Sequence, residues 1–405
     1  MKYVILVGDG MADRPMEALQ GRTPLEVAAT PNLDALASRG KIGTAVTIPK
    51  DAPEAGSDTG NMSILGYDPL QNACGRGPLE AANIGVALGP DDVAYRCNLV
   101  TRQDDVMADY SAGHIRSDEA RVLIETVQAE LGGDGIEFYA GVSYRHLMVW
   151  RKGPMGAQCF PPHDFSGGSL AEHWPAGPGT DVLRRLIEAS WPLLDKHPLN
   201  RSRIARGELP ANSLWFWGQG RPPKLQTIPE RFGLQGVVIS AVDLINGLGR
   251  LAGLTPVRVP GATGYLDSNL AGKASAALAA LADHDLAYVH VEAPDEASHE
   301  GSLENKIKAI ELFDREVVGP IINGLRSYGP HRILLMPDHA TPIEVRTHTR
   351  EAVPFILYDS QRLCRSGQVF SERSAEASEK TGLKGTDLIA ILINGEDQKQ
   401  VQKRL

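Results

Sequence analysis

Short, β-branched apolar runs alternate along the chain with amphipathic stretches, the pattern of parallel strands joined by crossover helices. Four runs read as core strands: residues 2–7, 286–291, 332–336 and 354–358. Between the second and third, Ile307, Ile310, Phe313 or Asp314, Val317 and Ile321 recur at helical spacing, with Gly324 near the end. That periodicity predicts a helix whose apolar stripe packs on the sheet. Repeated Ala and Leu across 273–281 predict another.

Residues 101–200 follow a different rhythm, with helical stretches at 121–131 and 181–194 and a strand-like run at 144–150. Gly- and Pro-rich loops separate them, including Phe160-Pro161-Pro162-His163-Asp164. At 405 residues the chain exceeds the size at which one hydrophobic core stops growing. The expected organisation is an α/β core made of residues 1–100 and 201–405, interrupted by a smaller inserted α+β lid domain at 101–200. No internal repeat is evident, and the polar tail after Asn394 is expected to fray.

Composition narrows the function classes. With 42% hydrophobic and 22% charged residues the chain is an ordinary globular one. Fifty acidic against 41 basic side chains, and no Lys/Arg run, argue against a nucleic-acid partner. Cys74, Cys97, Cys159 and Cys364 lie far apart without a C-x-x-C pair, so neither a zinc knuckle nor a disulfide framework is indicated and a cytoplasmic location is expected. The N-terminal run lacks a basic stretch and a small-residue cleavage site, and no apolar run approaches the ~20 residues that span a bilayer, so no membrane partner is expected.

The strand ends carry the chemistry. The first strand runs into Gly8-Asp9-Gly10, the second leads to Asp295 and His299, and the third to Pro337-Asp338-His339, with His348 following. In an open parallel sheet ligands bind beyond the carboxyl ends of the strands, so these side chains should converge on one rim. Each alone has a plain structural explanation, as a helix cap, a turn residue or a surface pair. Together they form a pool of carboxylates and imidazoles too large for one ion. Such donors suit Mn2+ first, with Zn2+, Co2+ or Mg2+ as alternatives. Two ions about 3.5–4 Å apart are the arrangement that clamps attacking and leaving oxygens in a phosphoryl displacement.

A nucleophile is available in Glu54-Ala55-Gly56-Ser57-Asp58-Thr59-Gly60-Asn61, with a short helical turn expected over 62–65. A serine at a helix N-terminus can present its hydroxyl where backbone N–H groups receive phosphate, and a metal lowers that hydroxyl's pKa without a histidine base. The competing explanation is that Ser57 only caps the helix. Dinucleotide, P-loop and G-x-S-x-G signatures are all incomplete or absent.

With these residues in hand, the chain resembles the alkaline phosphatase superfamily, and within it the archaeal-type, cofactor-independent phosphoglycerate mutases. The likeness is carried by Gly8-Asp9-Gly10-Met11-Ala12-Asp13-Arg14-Pro15, Gly56-Ser57-Asp58, Gly75-Arg76-Gly77-Pro78-Leu79-Glu80, Ala293-Pro294-Asp295-Glu296, Pro337-Asp338-His339 and Arg346-Thr347-His348-Thr349. The resemblance implies an alkaline-phosphatase-like core with a mostly parallel sheet flanked by helices. It also implies one metal on Asp295, His299 and His348, and a second on Asp9, Asp338, His339 and the Ser57 oxygen. Ser298 departs from the pattern, standing where relatives often carry Gly.

The implied activity is interconversion of 3-phosphoglycerate and 2-phosphoglycerate through a phosphoserine, on a small phosphate-ester substrate. Two other hypotheses stand beside it: transfer to homoserine or water by the same serine, since a homoserine-kinase-like subgroup shares these motifs, and a non-catalytic metal-dependent binding protein. Substrate carboxylate and hydroxyls would need cationic or polar partners. The candidates are Arg116, Arg145, His146, His163 and Asp164 from the insert, with Lys273 from the core.

Overall fold

A computed structural model describes residues 1–52, 55–362, 364 and 366–395. Pro53, Glu54 and the polar tail from 396 lie outside the described residues. The chain divides into two compact units, Met1–Ala73 with Leu225–Leu405, and Cys74–Lys224.

An eight-stranded sheet organises the first unit, in the order Leu383–Lys384, Lys41–Val46, Val353–Asp359, His331–Met336, Lys2–Gly8, Leu286–Val291, Gly236–Ile239, Thr255–Pro256. Lys2–Gly8 pairs in parallel with both Leu286–Val291 and His331–Met336. Val353–Asp359 runs antiparallel to each of its neighbours, so the sheet is mostly parallel. Leu286–Val291 is buried at every position and Lys2–Gly8 at all but its first, as befits strands covered on both faces. The four apolar runs therefore form strands. Lys41–Val46 and the three short strands went unpredicted because their runs are brief or broken by Gly and Pro.

The helix predicted between the second and third core strands is interrupted. Leu303–Phe313 passes through a π turn at Asp314–Val318 into Gly319–Leu325. Pro320 has no N–H to continue the ladder, and a π bulge accommodates that loss. Asp314 sits buried at the bulge and accepts hydrogen bonds from Leu33 N (2.7 Å) and Asn32 Nδ2 (2.8 Å). The apolar stripe keeps facing the core through Ile310, Phe313, Val317 and Ile321. The Ala-rich stretch forms Leu270–Ala280.

The second unit is built on an antiparallel five-stranded sheet. Val93–Gln103 is its spine, paired with Val106–Asp109, Arg145–Trp150 and Ser213–Gly220. Odd positions Tyr95, Cys97 and Leu99 pack with Leu123, Ile124, Leu183 and Ile187 from the helices Ser117–Leu131 and Thr180–Asp195. Ala94 packs on the other face with Ala81, Leu147 and Val149. This unit is wider than the expected 101–200, because the two flanking strands pair with each other and cannot be assigned to the larger sheet. Among the described residues no helix is long and apolar enough to cross a membrane.

Candidate active site and metal centre

Lys2–Gly8 lies between Leu286–Val291 and His331–Met336, so the ends of these three parallel strands adjoin. Asp9 follows the first directly, and its N–H donates to Val291 O at 2.9 Å. Asp295 and His299 stand one turn apart on the helix Ala293–His299, and Asp338 with His339 follow Met336. The result is two groups, Asp295 with His299 and His348, and Asp9 with Asp338 and His339, each with its ligand atoms within 4.8 Å of one another. All six predicted side chains are brought into these groups.

Ser57 opens the helix Ser57–Ile64, which is a full turn longer than the expected 62–65. Gly56, not Ser57, occupies the capping position. The Ser57 hydroxyl is therefore free of capping duty, and its Oγ lies 3.2 Å from His339 Nε2 and 3.4 Å from Asp9 Oδ2.

Hydrogen bonding identifies which nitrogens hold lone pairs. His299 Nδ1 lies 2.9 Å from Arg346 O, and His348 Nδ1 lies 3.1 Å from Ala55 O. A carbonyl can only accept, so both Nδ1 atoms donate, and Nε2 is the atom that holds the lone pair whenever either ring is neutral. Those two Nε2 atoms are 3.0 Å apart and face Asp295 Oδ2 at 3.1 and 3.5 Å. Acceptors gathered this way require a cation. With a proton in that role, contact with Asp295 pushes His299 up to about 9. For His348 burial acts downward but the same carboxylate outweighs it, giving a net rise.

The second group is equally short of positive charge. Asp9 Oδ1 is buried without a hydrogen-bond partner, and burial, then the charges of Asp338 and Asp295, raise the Asp9 carboxyl well above its ordinary range. Orphaned carboxylate oxygen and oriented imidazoles together fit divalent metal ions in both groups.

Residues 37–200 match the family model for 2,3-bisphosphoglycerate-independent phosphoglycerate mutase. A relative from Methanosarcina barkeri with that name is 52% identical over 97% of this chain and 99% of its own length. The chain belongs to the 2,3-bisphosphoglycerate-independent phosphoglycerate mutases. A probable member from Geobacter sulfurreducens is likewise 52% identical, over 96% of this chain and 94% of its own. Among solved structures, the cofactor-independent phosphoglycerate mutase of Thermoplasma acidophilum superposes with a TM-score of 0.68 at 27% identity, covering 97% of this chain and 99% of its own. A Pyrococcus horikoshii protein reaches 0.81 at 28% identity, covering 100% and 98%.

In this family member several site residues carried no sequence signal of their own. Asn61 Nδ2 donates to Asp338 Oδ2 (2.6 Å) and Ser57 O (2.8 Å), and its Oδ1 accepts from Tyr288. One amide thus ties the serine's helix to a ligand of the second group. His290 Nε2 lies 3.0 Å from Asp9 Oδ2 but is not aligned for a hydrogen bond, and burial pushes this imidazole down to about 4, so it is neutral. Both Tyr288 and His290 sit inside an apolar run, where periodicity reads them as core. Gly10 has φ +59°, and a Cβ there would come within 2.4 Å of Asp295 Oδ1 and 2.6 Å of Thr341 Oγ1. Gly10→Ala is expected to displace that carboxylate and lower turnover by about 100-fold or more, the cost of an ångström-scale misplacement. Metal content of the purified variant, measured beside its activity, checks this.

The substrate candidates fare unevenly. Arg116 is exposed and pairs with Asp118 two residues on. His146 is buried in the smaller sheet, where its Nδ1 accepts from Gly141 N at 3.0 Å and burial pushes it down to about 3. A neutral, enclosed imidazole is a poor partner for an anion. Lys273, in the first unit, is buried with Nζ on His290 O at 3.0 Å, and burial pushes it down to about 8. His163 and Asp164 are exposed neighbours 3.5 Å apart.

Two arginines and a histidine do gather around Trp217 in the second unit, Arg96 being ion-paired with Glu80. Arg96 stands 5.0 Å and Arg76 5.8 Å over its ring, and His163 lies 5.3 Å from it edge-on. Asn98 receives the Trp217 indole N–H at 3.1 Å and pairs across the sheet with Arg145. Arg76 and Arg96 went unassigned because a single arginine in a strand or helix gives no sign of what it will face.

Proposed function

We propose that this mutase-family member interconverts 3-phosphoglycerate and 2-phosphoglycerate through a phosphoserine at Ser57. The ions would be held by Asp295, His299 and His348, and by Asp9, Asp338, His339 and the Ser57 oxygen, with Mn2+ the best match and Zn2+, Co2+ or Mg2+ as alternatives. The observation that carries this reading is the convergence of imidazole Nε2 and carboxylate atoms beside a serine hydroxyl that caps nothing. When bound, such ions neutralise the phosphate and favour the serine alkoxide.

Ser57 Oγ attacks phosphorus in line, the ester P–O bond to glycerate breaks, and the other glycerate hydroxyl later takes the phosphoryl group back. The N–H groups at the start of Ser57–Ile64 offer donors to the phosphate oxygens. Water must be kept out while the phosphoserine exists, since hydrolysis would make a phosphatase of it. We assign recognition of the glycerate carboxylate to residues of the inserted unit, Arg76, Arg96, Arg145 and His163. The compartment that fits such chemistry, and cysteines that form no disulfide among the described residues, is the cytoplasm.

Intact-mass detection of phosphorylated Ser57 after incubation with 3-phosphoglycerate tests the route. A parallel incubation with homoserine and ATP serves as the competing arm, and phosphate appearing only there would overturn the proposal. Arg145→Met tests the assignment of the insert. Losing a charge-assisted hydrogen bond to carboxylate should lower kcat/KM by about 10- to 100-fold while Mn2+ affinity stays at the wild-type value.

A further inference from the structure

We propose that Thr341 is a positioning residue that ties the two metal-ligand groups together through a single hydroxyl. The inference rests on the two-ion reading above and concerns a residue that is itself no ligand. Thr341 is wholly buried two residues beyond His339, and its Oγ1 lies 2.5 Å from Asp295 Oδ1 and 3.1 Å from His339 Nδ1. Asp295 belongs to one group and His339 to the other.

The direction of these bonds follows from proton count. A hydroxyl has one proton to give, and an ionised Asp295 can only accept, so Thr341 donates to Asp295. Its remaining lone pairs then accept from His339 Nδ1–H. That assignment places the His339 lone pair on Nε2, the atom 3.2 Å from both Asp9 Oδ1 and Ser57 Oγ. One side chain thus orients a carboxylate of the first group and sets the tautomer of an imidazole in the second, the task outer partners perform in metal sites.

Thr341 is itself held on both sides. Its N–H donates to Ala12 O at 3.2 Å, and its carbonyl accepts from Lys306 Nζ at 3.0 Å. Lys306, also buried, bonds Ala12 O (3.2 Å) and Asp13 Oδ2 (2.8 Å). The loops following two different strands are fastened to one ammonium group, so the backbone that carries the hydroxyl is fixed with respect to both.

The test uses the full chain and the variants Thr341→Val, which keeps the shape, and Thr341→Ser, which keeps the hydroxyl. Titration with Mn2+ should show both ion sites weakened about 10- to 100-fold in Thr341→Val and largely recovered in Thr341→Ser. In the Zn2+-loaded wild type, nitrogen-15 NMR of His339 should show its proton on Nδ1, a readout that holds even where the valine variant folds poorly. Wild-type affinity in Thr341→Val, weakening of one site alone, or a proton on Nε2 of His339 would each overturn the inference. A wild-type chain that takes up no pair of ions would instead remove the two-ion reading beneath it.

Discussion

Ser57→Ala is expected to abolish enolase-coupled turnover of 3-phosphoglycerate, lowering kcat by on the order of 10^4- to 10^6-fold, the scale seen when a catalytic nucleophile is deleted. The substitution isolates chemistry from folding unusually well. Ser57 is the first helical residue rather than the cap, and alanine is the best helix former, so the helix Ser57–Ile64 should form undisturbed. Asn61 holds the Ser57 carbonyl, not its hydroxyl, and that bond survives. Six ligand side chains also remain in the two groups, so metal content should fall little. Loss of turnover with metal and thermal stability retained, and no phosphorylated enzyme by intact mass, is the expected set. Turnover that persists would remove the phosphoserine route.

How much of this was legible beforehand depends on what each residue had to signal. Asp9, Asp295 and Asp338 stood out because each follows an apolar run, and strand order then brings the three ends side by side. His348 entered the pool only as the histidine that follows Asp338 and His339, with no apolar run of its own to mark it; what joins it to His299 is the loop carrying the Arg346 carbonyl, which no periodicity encodes. The insert was visible as a change in pattern, but not its limits. Val93–Gln103 and Ser213–Gly220 flank the expected segment, and their pairing with each other and with Arg145–Trp150 is what assigns them to the smaller sheet. Arg116 was a reasonable cation on sequence grounds, yet it pairs with Asp118, two residues on in the first turn of a helix. His146 was placed on a strand correctly, but alternation turned it inward. Local pattern therefore revealed which elements end in reactive groups. Which polar side chains those groups meet, Asn61, Thr341 and the Trp217 cluster among them, depends on packing between remote segments.

Removing divalent metal should silence the enzyme and loosen its larger unit at the same time. In the absence of ions, Asp9, Asp295 and Asp338 lie close together in a buried setting, and burial with the charges of Asp338 and Asp295 raises the Asp9 carboxyl well above its ordinary range, a cost the folded state bears. Each ion present at about 100 times its dissociation constant would stabilise the native state by about 2.7 kcal/mol. Chelation should thus lower the melting temperature measurably, and hydrogen exchange should place the loosening in Met1–Ala73 with Leu225–Leu405, where both groups reside, while Cys74–Lys224 keeps its protection. Protons compete for the same lone pairs. Because contact with Asp295 holds the His299 imidazole up to about 9, the metal-free site carries a proton there at neutral pH that an incoming ion must displace. Apparent affinity is therefore expected to rise with pH until about 9 and then level, and Mn2+ titrations at a series of pH values measure it directly. An affinity that falls over that interval, or a chelated protein with undiminished activity and melting temperature, would show that these side chains hold no metal.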